Sequence, residues 1–216
     1  MSPFTNPNRY RAKKNNYILM KNLLHIISSP MGNYSHSIQL GNAIIKKLVL
    51  KYPGSKITER NLVDDHPPYL DGSHIFASFK DENAITEEER EKLSYSDMVL
   101  SEIKNADVII LGAPMYNFGI HAALKAYIDQ IVRLGQTIQY QSDGTRIGLL
   151  TDKTVYLAIT AGGNYNHEFN PVNDYIVNHL TAILKYIGID DIQSLIIEGT
   201  KKPDFRVDYD EICRNI

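Results

Sequence analysis

The chain has 216 residues, 43% of them hydrophobic and 22% charged, which suits one globular α/β domain with a substantial core. Its formal net charge of −2 gives no electrostatic case for nucleic acid or an anionic membrane surface, and no apolar run approaches the roughly 18 residues a membrane helix needs. The single cysteine, Cys213, excludes an internal disulfide framework and a cysteine-built metal site, and fits a reducing, cytoplasmic setting; the seven histidines lack the spacing of a zinc site.

Residues 1–19 carry Arg9, Arg11, Lys13 and Lys14 but no apolar stretch that would serve as a secretory signal, so they read as a disordered extension. Met20, just before the first strand, is a second candidate for the start of translation. The remainder, 20–216, reads as a single domain.

Residues 23–27, Leu-Leu-His-Ile-Ile, form an apolar block expected of a buried parallel strand. The chain then runs through Ser28, Ser29, Pro30, Met31, Gly32, Asn33, Tyr34, Ser35, His36 and Ser37 into a helix whose apolar positions are Ile38, Leu40, Ile44, Ile45, Leu48 and Val49. Such a loop points backbone N–H groups and the positive helix end at one spot, with Ser29, Ser35 and Ser37 as extra hydroxyl donors, which suits a phosphate monoester. Ser35 or Ser37 could equally serve as an ordinary helix cap. The loop has neither a Walker nor a Gly-x-Gly-x-x-Gly pattern, so a nucleoside triphosphate or dinucleotide fingerprint is absent.

Residues 56–62 alternate as an edge strand does. The 64–79 stretch that follows holds two prolines and the aromatic groups of His66, Tyr69, His74, Phe76 and Phe79. Thr86 followed by Glu89 predicts a capping box opening a helix that runs to Asn105.

Residues 108–111 predict a central strand stopped by Gly112 and Pro114, with Asn117 as N-cap of the next helix. Pro114, Met115, Tyr116, Asn117 and Phe118 would then sit at the carboxyl end of that strand, where open α/β sheets bind ligands. Two aromatics, a thioether and an amide with no ionisable group suit a flat, polar-edged ring. Asp143-Gly144 predicts a hairpin within residues 135–150, an excursion expected to build a wall beside the ligand, with Tyr140 near it. Residues 153–160 are the fourth strand, ending at Ala161, Gly162 and Gly163, where two glycines let backbone approach a ligand. A helix over 172–187, a fifth strand over 192–197 and a short terminal helix holding Cys213 complete the chain.

Five strands alternating with helices predict a doubly wound, flavodoxin-like parallel sheet of order 2-1-3-4-5. In that order the loops at 29–37, 114–118 and 161–163 follow neighbouring strands and meet at one switch point. One suits a phosphate, the next an aromatic ring system, and the last that ring's polar edge.

These residues also carry a resemblance. Ala113-Pro114-Met115-Tyr116-Asn117-Phe118, with Leu124-Lys125-x-Tyr127-x-Asp129 behind it, resembles the flavin-contacting segment of the FMN-dependent NADH-azoreductase and NAD(P)H:quinone oxidoreductase family. Tyr34-Ser35-x-Ser37, Pro67-Pro68-x-Leu70-Asp71 and Gly135-x-Thr137-x-x-Tyr140 match at corresponding places. The resemblance covers residues 20 to about 198 and is strongest over 107–163. It implies a bound FMN held by Ser29, Ser35, His36 (through its backbone), Ser37, Pro114, Met115, Tyr116, Asn117, Phe118, Ala161, Gly162 and Gly163. It further implies NADH or NADPH as donor, a quinone or azo compound as acceptor in a ping-pong cycle, no metal and no catalytic side chain. A homodimer with sites at the subunit interface follows from it too, the 64–79 stretch helping to cover a site. Two departures stand out: Gly119, and a glycine turn shorter by the Ser or Arg that usually precedes it. The alternatives are a flavodoxin-type electron carrier, which the near-neutral charge and longer first loop argue against, and a related NADPH-dependent FMN reductase.

Overall fold

Three apolar blocks become the central parallel strands, buried on both faces by the helices that their connections place there, and two segments of more polar character pair alongside them as edge strands. The computed structural model describes residues 20–165 and 170–216; the expected extension at 1–19 lies outside them. The elements in order are β1 (Asn22–Ile27), α1 (His36–Lys51), β2 (Lys56–Asn61), α2 (Gly72–Ser78), α3 (Glu87–Asn105), β3 (Val108–Pro114), α4 (Ala122–Ile131), β4 (Ile138–Tyr140), β5 (Arg146–Gly148), β6 (Thr154–Thr160), a π-helical turn (Val172–Val177) running into α5 (Asn178–Tyr186), β7 (Asp191–Ile197) and α6 (Tyr209–Ile212).

The sheet order is β2-β1-β3-β6-β7, all parallel. Because β4 and β5 form a separate antiparallel ladder, the five sheet strands taken by themselves run 2-1-3-4-5. Alternate residues of the central strands feed two cores. Leu24, Ile26, Ile109, Leu111, Val155 and Leu157 pack with α3, α4 and α5, while Leu23, Val108, Ile110, Tyr156 and Ala158 pack with α1 and the C-terminal segment. Cys213 is buried in the second core, directly after α6.

Three local expectations need correction. Gly112 and Pro114 do not end the central strand: β3 runs through both, pairing Gly112 with Ala158 and Pro114 with Thr160. A Cβ on Gly112 would come within 3.3 Å of Ile26 O, so this glycine serves close strand packing rather than a turn. The helix over 172–187 opens as a π-helical turn. The β4–β5 ladder does not wall the ligand end of the sheet. Leu150 N–H donates to Ile187 O at 2.9 Å, Arg146 bonds Tyr186 O, and Tyr140 meets Tyr186 hydroxyl to hydroxyl at 3.5 Å. These partners precede β7, so the ladder and Tyr140 lie at the amino ends of the strands, opposite the three loops.

Among the described residues no helix is long and apolar enough to cross a membrane, and no cluster of three or more His, Cys, Asp or Glu could hold a metal ion.

Candidate functional site

The switch point lies where β1 turns back to β2 on one side and the chain proceeds through β3 to β6 on the other. Their carboxyl ends are tied together. Ser28, buried after β1, donates its hydroxyl to Gly112 O on β3 at 2.7 Å. Met115 N–H, just past β3, donates to Thr160 O, the last residue of β6, at 2.8 Å.

The first loop ends in a capped helix. Ser35 is the N-cap of α1 and its Oγ accepts from Ile38 N at 3.4 Å. The same oxygen lies 3.0 Å from Ser37 Oγ, and both side chains are buried, as is Ser29. Capping and anion binding are therefore compatible here: Ser35 takes one first-turn amide, and the amides of His36 and Ser37 remain directed out of the helix end. The His36 ring faces elsewhere. Its Nδ1 is 2.7 Å from Tyr209 OH, and Phe205 packs edge-on against it with ring centroids 5.0 Å apart. Only the backbone of His36 is left for the loop.

The second loop is a strained turn. Tyr116 and Gly119 close on each other with two backbone bonds, of 2.9 and 3.0 Å, around Asn117 at φ 49° and Phe118 at φ 65°. Two consecutive non-glycine residues at positive φ make a type I′ turn, each at a cost of about 1–2 kcal/mol that asparagine tolerates better than phenylalanine. Asn117 is thus not the helix cap; His121 is, its Nδ1 accepting from Ala123 N at 3.3 Å. Asparagine favours both settings, which is why the sequence misleads at this position. The turn's closing bonds use neither central amide, and the Phe118 ring is directed toward the third loop. Tyr116 packs edge-on against His121, centroids 5.5 Å apart, and burial depresses the His121 pKa, with His66 nearby adding to the effect.

The third loop closes the cluster. Phe118 reaches Tyr165, just beyond the glycine turn, in an edge-to-face contact with centroids 6.3 Å apart. Ala161 is buried, and Gly162 and Gly163 are half-buried. Their missing Cβ atoms make room within the protein itself: a Cβ on Gly163 would lie 3.0 Å from the Tyr165 ring, and one on Gly162 would lie 2.9 Å from the Lys201 side chain.

All twelve expected residues therefore lie on or directly beside the three loops at the carboxyl ends of β1, β3 and β6, with Pro114 closing β3 and His36 and Ser37 opening α1. Sequence reading did not single out Ser28, His121, Tyr165 and Lys201. Ser28 and Tyr165 adjoin the expected segments, but nothing in the polar C-terminal stretch points to Lys201. The 64–79 stretch forms α2 with Asp71 as its cap and is pinned to α4 by Gln130 Nε2 donating to Pro68 O at 2.8 Å. His74 is buried, whereas Tyr69, Phe76 and Phe79 are exposed. A hollow of about 530 Å³ elsewhere is lined by Lys80, Arg90, Lys104 and Arg133 among others, and includes none of the twelve residues.

Comparison with known proteins places these observations. A family model described as flavodoxin-like fold matches residues 21–213. An FMN-dependent NADH:quinone oxidoreductase of Cellvibrio japonicus is 37% identical over 83% of this chain and 88% of its own length. One from Beijerinckia indica is 36% identical over 88% of this chain and 93% of its own. Among solved structures, an FMN-dependent NADH-azoreductase from Bacillus anthracis in complex with FMN superposes with a TM-score of 0.72 at 27% identity, covering 90% of this chain and 93% of that one.

Proposed function

Because the chain belongs to the flavodoxin-like family that includes the FMN-dependent NADH:quinone oxidoreductases, we propose that it binds FMN across the three loops and passes two electrons from a nicotinamide to a quinone or azo acceptor. The observation that carries this reading is the convergence of a buried hydroxyl pair at a helix N-terminus, a strained aromatic turn and a glycine turn on adjoining strand ends.

The donor set fits the group. Ser29, Ser35 and Ser37, with the amides of His36 and Ser37, would hold the phosphate without any lysine. Pro114, Met115, Tyr116, Asn117 and Phe118 would hold the ring, and Ala161, Gly162 and Gly163 would lie along its polar edge. FMN supplies the hydride-accepting chemistry, so no side chain need act as an essential acid or base. The protein's part is geometric: the I′ turn fixes the Asn117 and Phe118 amides, and the Phe118–Tyr165 contact walls one side of the position where donor and acceptor would stack in turn. A shared stacking position is what makes the cycle ping-pong. We assign homodimerisation to the exposed Tyr69, Phe76 and Phe79, an apolar surface suited to covering a neighbouring subunit's site. A cytoplasmic location suits the buried free thiol of Cys213.

The test is the visible spectrum of the purified protein before and after anaerobic NADH. Flavin bands that bleach with NADH and return with a quinone support the reading. A flavin that stays oxidised with either nicotinamide replaces it with the electron-carrier alternative, and a protein that takes up no FMN ends it.

A further inference from the structure

Charge beside the polar edge of a flavin tunes how readily the ring is reduced, because reduction adds negative charge to it. The third loop carries no charged side chain of its own from Ala161 to Tyr165. A cation reaches it from another element. Directly after β7, Gly199 N–H donates to Gly163 O at 2.9 Å, Thr200 N–H to Ala161 O at 3.1 Å and Lys201 N–H to Gly162 O at 3.1 Å. This ladder locks Lys201 onto the glycine turn. Its side chain then lies across Gly162, where a Cβ would stand 2.9 Å from Lys201 Cδ, 3.0 Å from Cγ and 3.1 Å from Cε. Gly162 is therefore the residue that lets the lysine stem lie flat on the turn. Lys21, Lys46, Lys47, Lys80, Lys92 and Lys125 each reach a carboxylate. The Lys201 ammonium has no such partner among the described residues.

We propose that Lys201 supplies positive charge at the polar edge of a flavin held by the glycine turn, favouring the reduced ring over the oxidised one. The inference rests on the FMN reading given above. The phosphate carries the same charge in both redox states, so its attraction to Lys201 cancels in their ratio; only charge gained by the ring on reduction remains. Lys202 is the natural control, because its stem packs toward Gly199 instead, with Cδ 3.5 Å from the Cβ position there.

The experiment compares the unaltered protein with Lys201→Met, Lys201→Arg and Lys202→Met, each saturated with FMN. The bound flavin is followed by its visible spectrum, its dissociation constant is measured in the oxidised state, and its midpoint potential is found by titration against a reference dye. Lys201→Met is expected to bind oxidised FMN nearly normally yet to favour the reduced ring about tenfold less, a fall of about 30 mV for a two-electron couple. Lys201→Arg and Lys202→Met should stay close to the unaltered potential. A flavin-bearing Lys201→Met protein with unchanged potential overturns the inference and leaves the FMN reading standing. An equal fall in Lys202→Met also overturns it, by showing a diffuse surface charge effect. An unaltered protein that takes up no FMN overturns the FMN reading itself, and the role of Lys201 with it.

Discussion

The hydroxyl oxygens of Ser35 and Ser37 lie 3.0 Å apart, both buried, at the mouth of α1. Two hydroxyls that share one hydrogen bond keep one proton to donate elsewhere, and the helix end beside them is electropositive. The two serines should nevertheless separate on mutation. Ser35→Ala removes the cap as well and should cost about 1 kcal/mol of stability. Ser37→Ala leaves the cap in place. Both should weaken FMN binding by roughly tenfold or more, the worth of a hydrogen bond to a charged group. Chemical denaturation without FMN and fluorescence titration with it read the two effects independently. Unchanged FMN affinity in both variants would remove the phosphate from this loop.

The positive φ of Phe118 makes a prediction whose sign runs against ordinary propensity. Replacing a residue by glycine usually costs more stability than replacing it by alanine. At φ 65° the order should invert, and Phe118→Gly should be more stable than Phe118→Ala by about 1 kcal/mol. Both lose the ring that packs on Tyr165, so both should slow quinone reduction, and only their melting temperatures should differ. A glycine variant less stable than the alanine variant would mean that the turn relaxes without strain.

These positions also show what a sequence can and cannot tell. The apolar blocks of β1, β3 and β6 are legible because parallel strands buried on both faces leave no room for alternation. The Thr86–Glu89 capping box is legible because its spacing alone defines it, and both of its bonds are present. The site's location follows from strand order. What local reading misses is the purpose of glycine and asparagine, which serve several conformations equally well. Gly112 looks like a stop but answers to Ile26 O across the sheet. Asn117 looks like a cap but sits in a left-handed turn. Lys201 is invisible for a different reason: its contact with Gly162 exists only because β7 lies beside β6.

Gly41 illustrates the same point in a form that can be tested. It lies in the middle of α1, where alanine would ordinarily be preferred by about 1 kcal/mol. A Cβ at this position, however, would stand 2.4 Å from His25 Nε2 on β1. Both neighbours are buried, so the clash cannot be relieved by swinging a side chain into solvent. Gly41→Ala should therefore destabilise the protein by about 1–3 kcal/mol despite the gain in propensity. In a His25→Ala background the same change should be neutral or stabilising. Additive effects in that double-mutant cycle would mean that the two positions do not touch.

His25 itself should set an acid limit on stability. Its side chain is 1% exposed and its Nε2 is buried with no hydrogen-bond partner among the described residues. Burial lowers its pKa from 6.5 to about 4. Glu59 on β2 is the acid facing it, 4.0 Å from Nδ1, but that carboxylate is 59% exposed and too well solvated to hold a charge on the ring. Above pH 6.5 the imidazole is neutral in both folded and unfolded chains and contributes no pH dependence. As the pH falls from 6.5 toward 4 the unfolded chain takes up the proton first, so stability drops, reaching a loss of about 3 kcal/mol below the folded pKa. Replacing the imidazole by an apolar group of similar size, as in His25→Leu, removes this titration. In denaturant melts at pH 7.5, 6, 5 and about 4, the unfolding free energy of His25→Leu relative to the parent should shift in the variant's favour by about 3 kcal/mol as the pH falls. Parallel curves would show that the buried imidazole accepts a proton in place and that its missing partner is supplied within the folded chain.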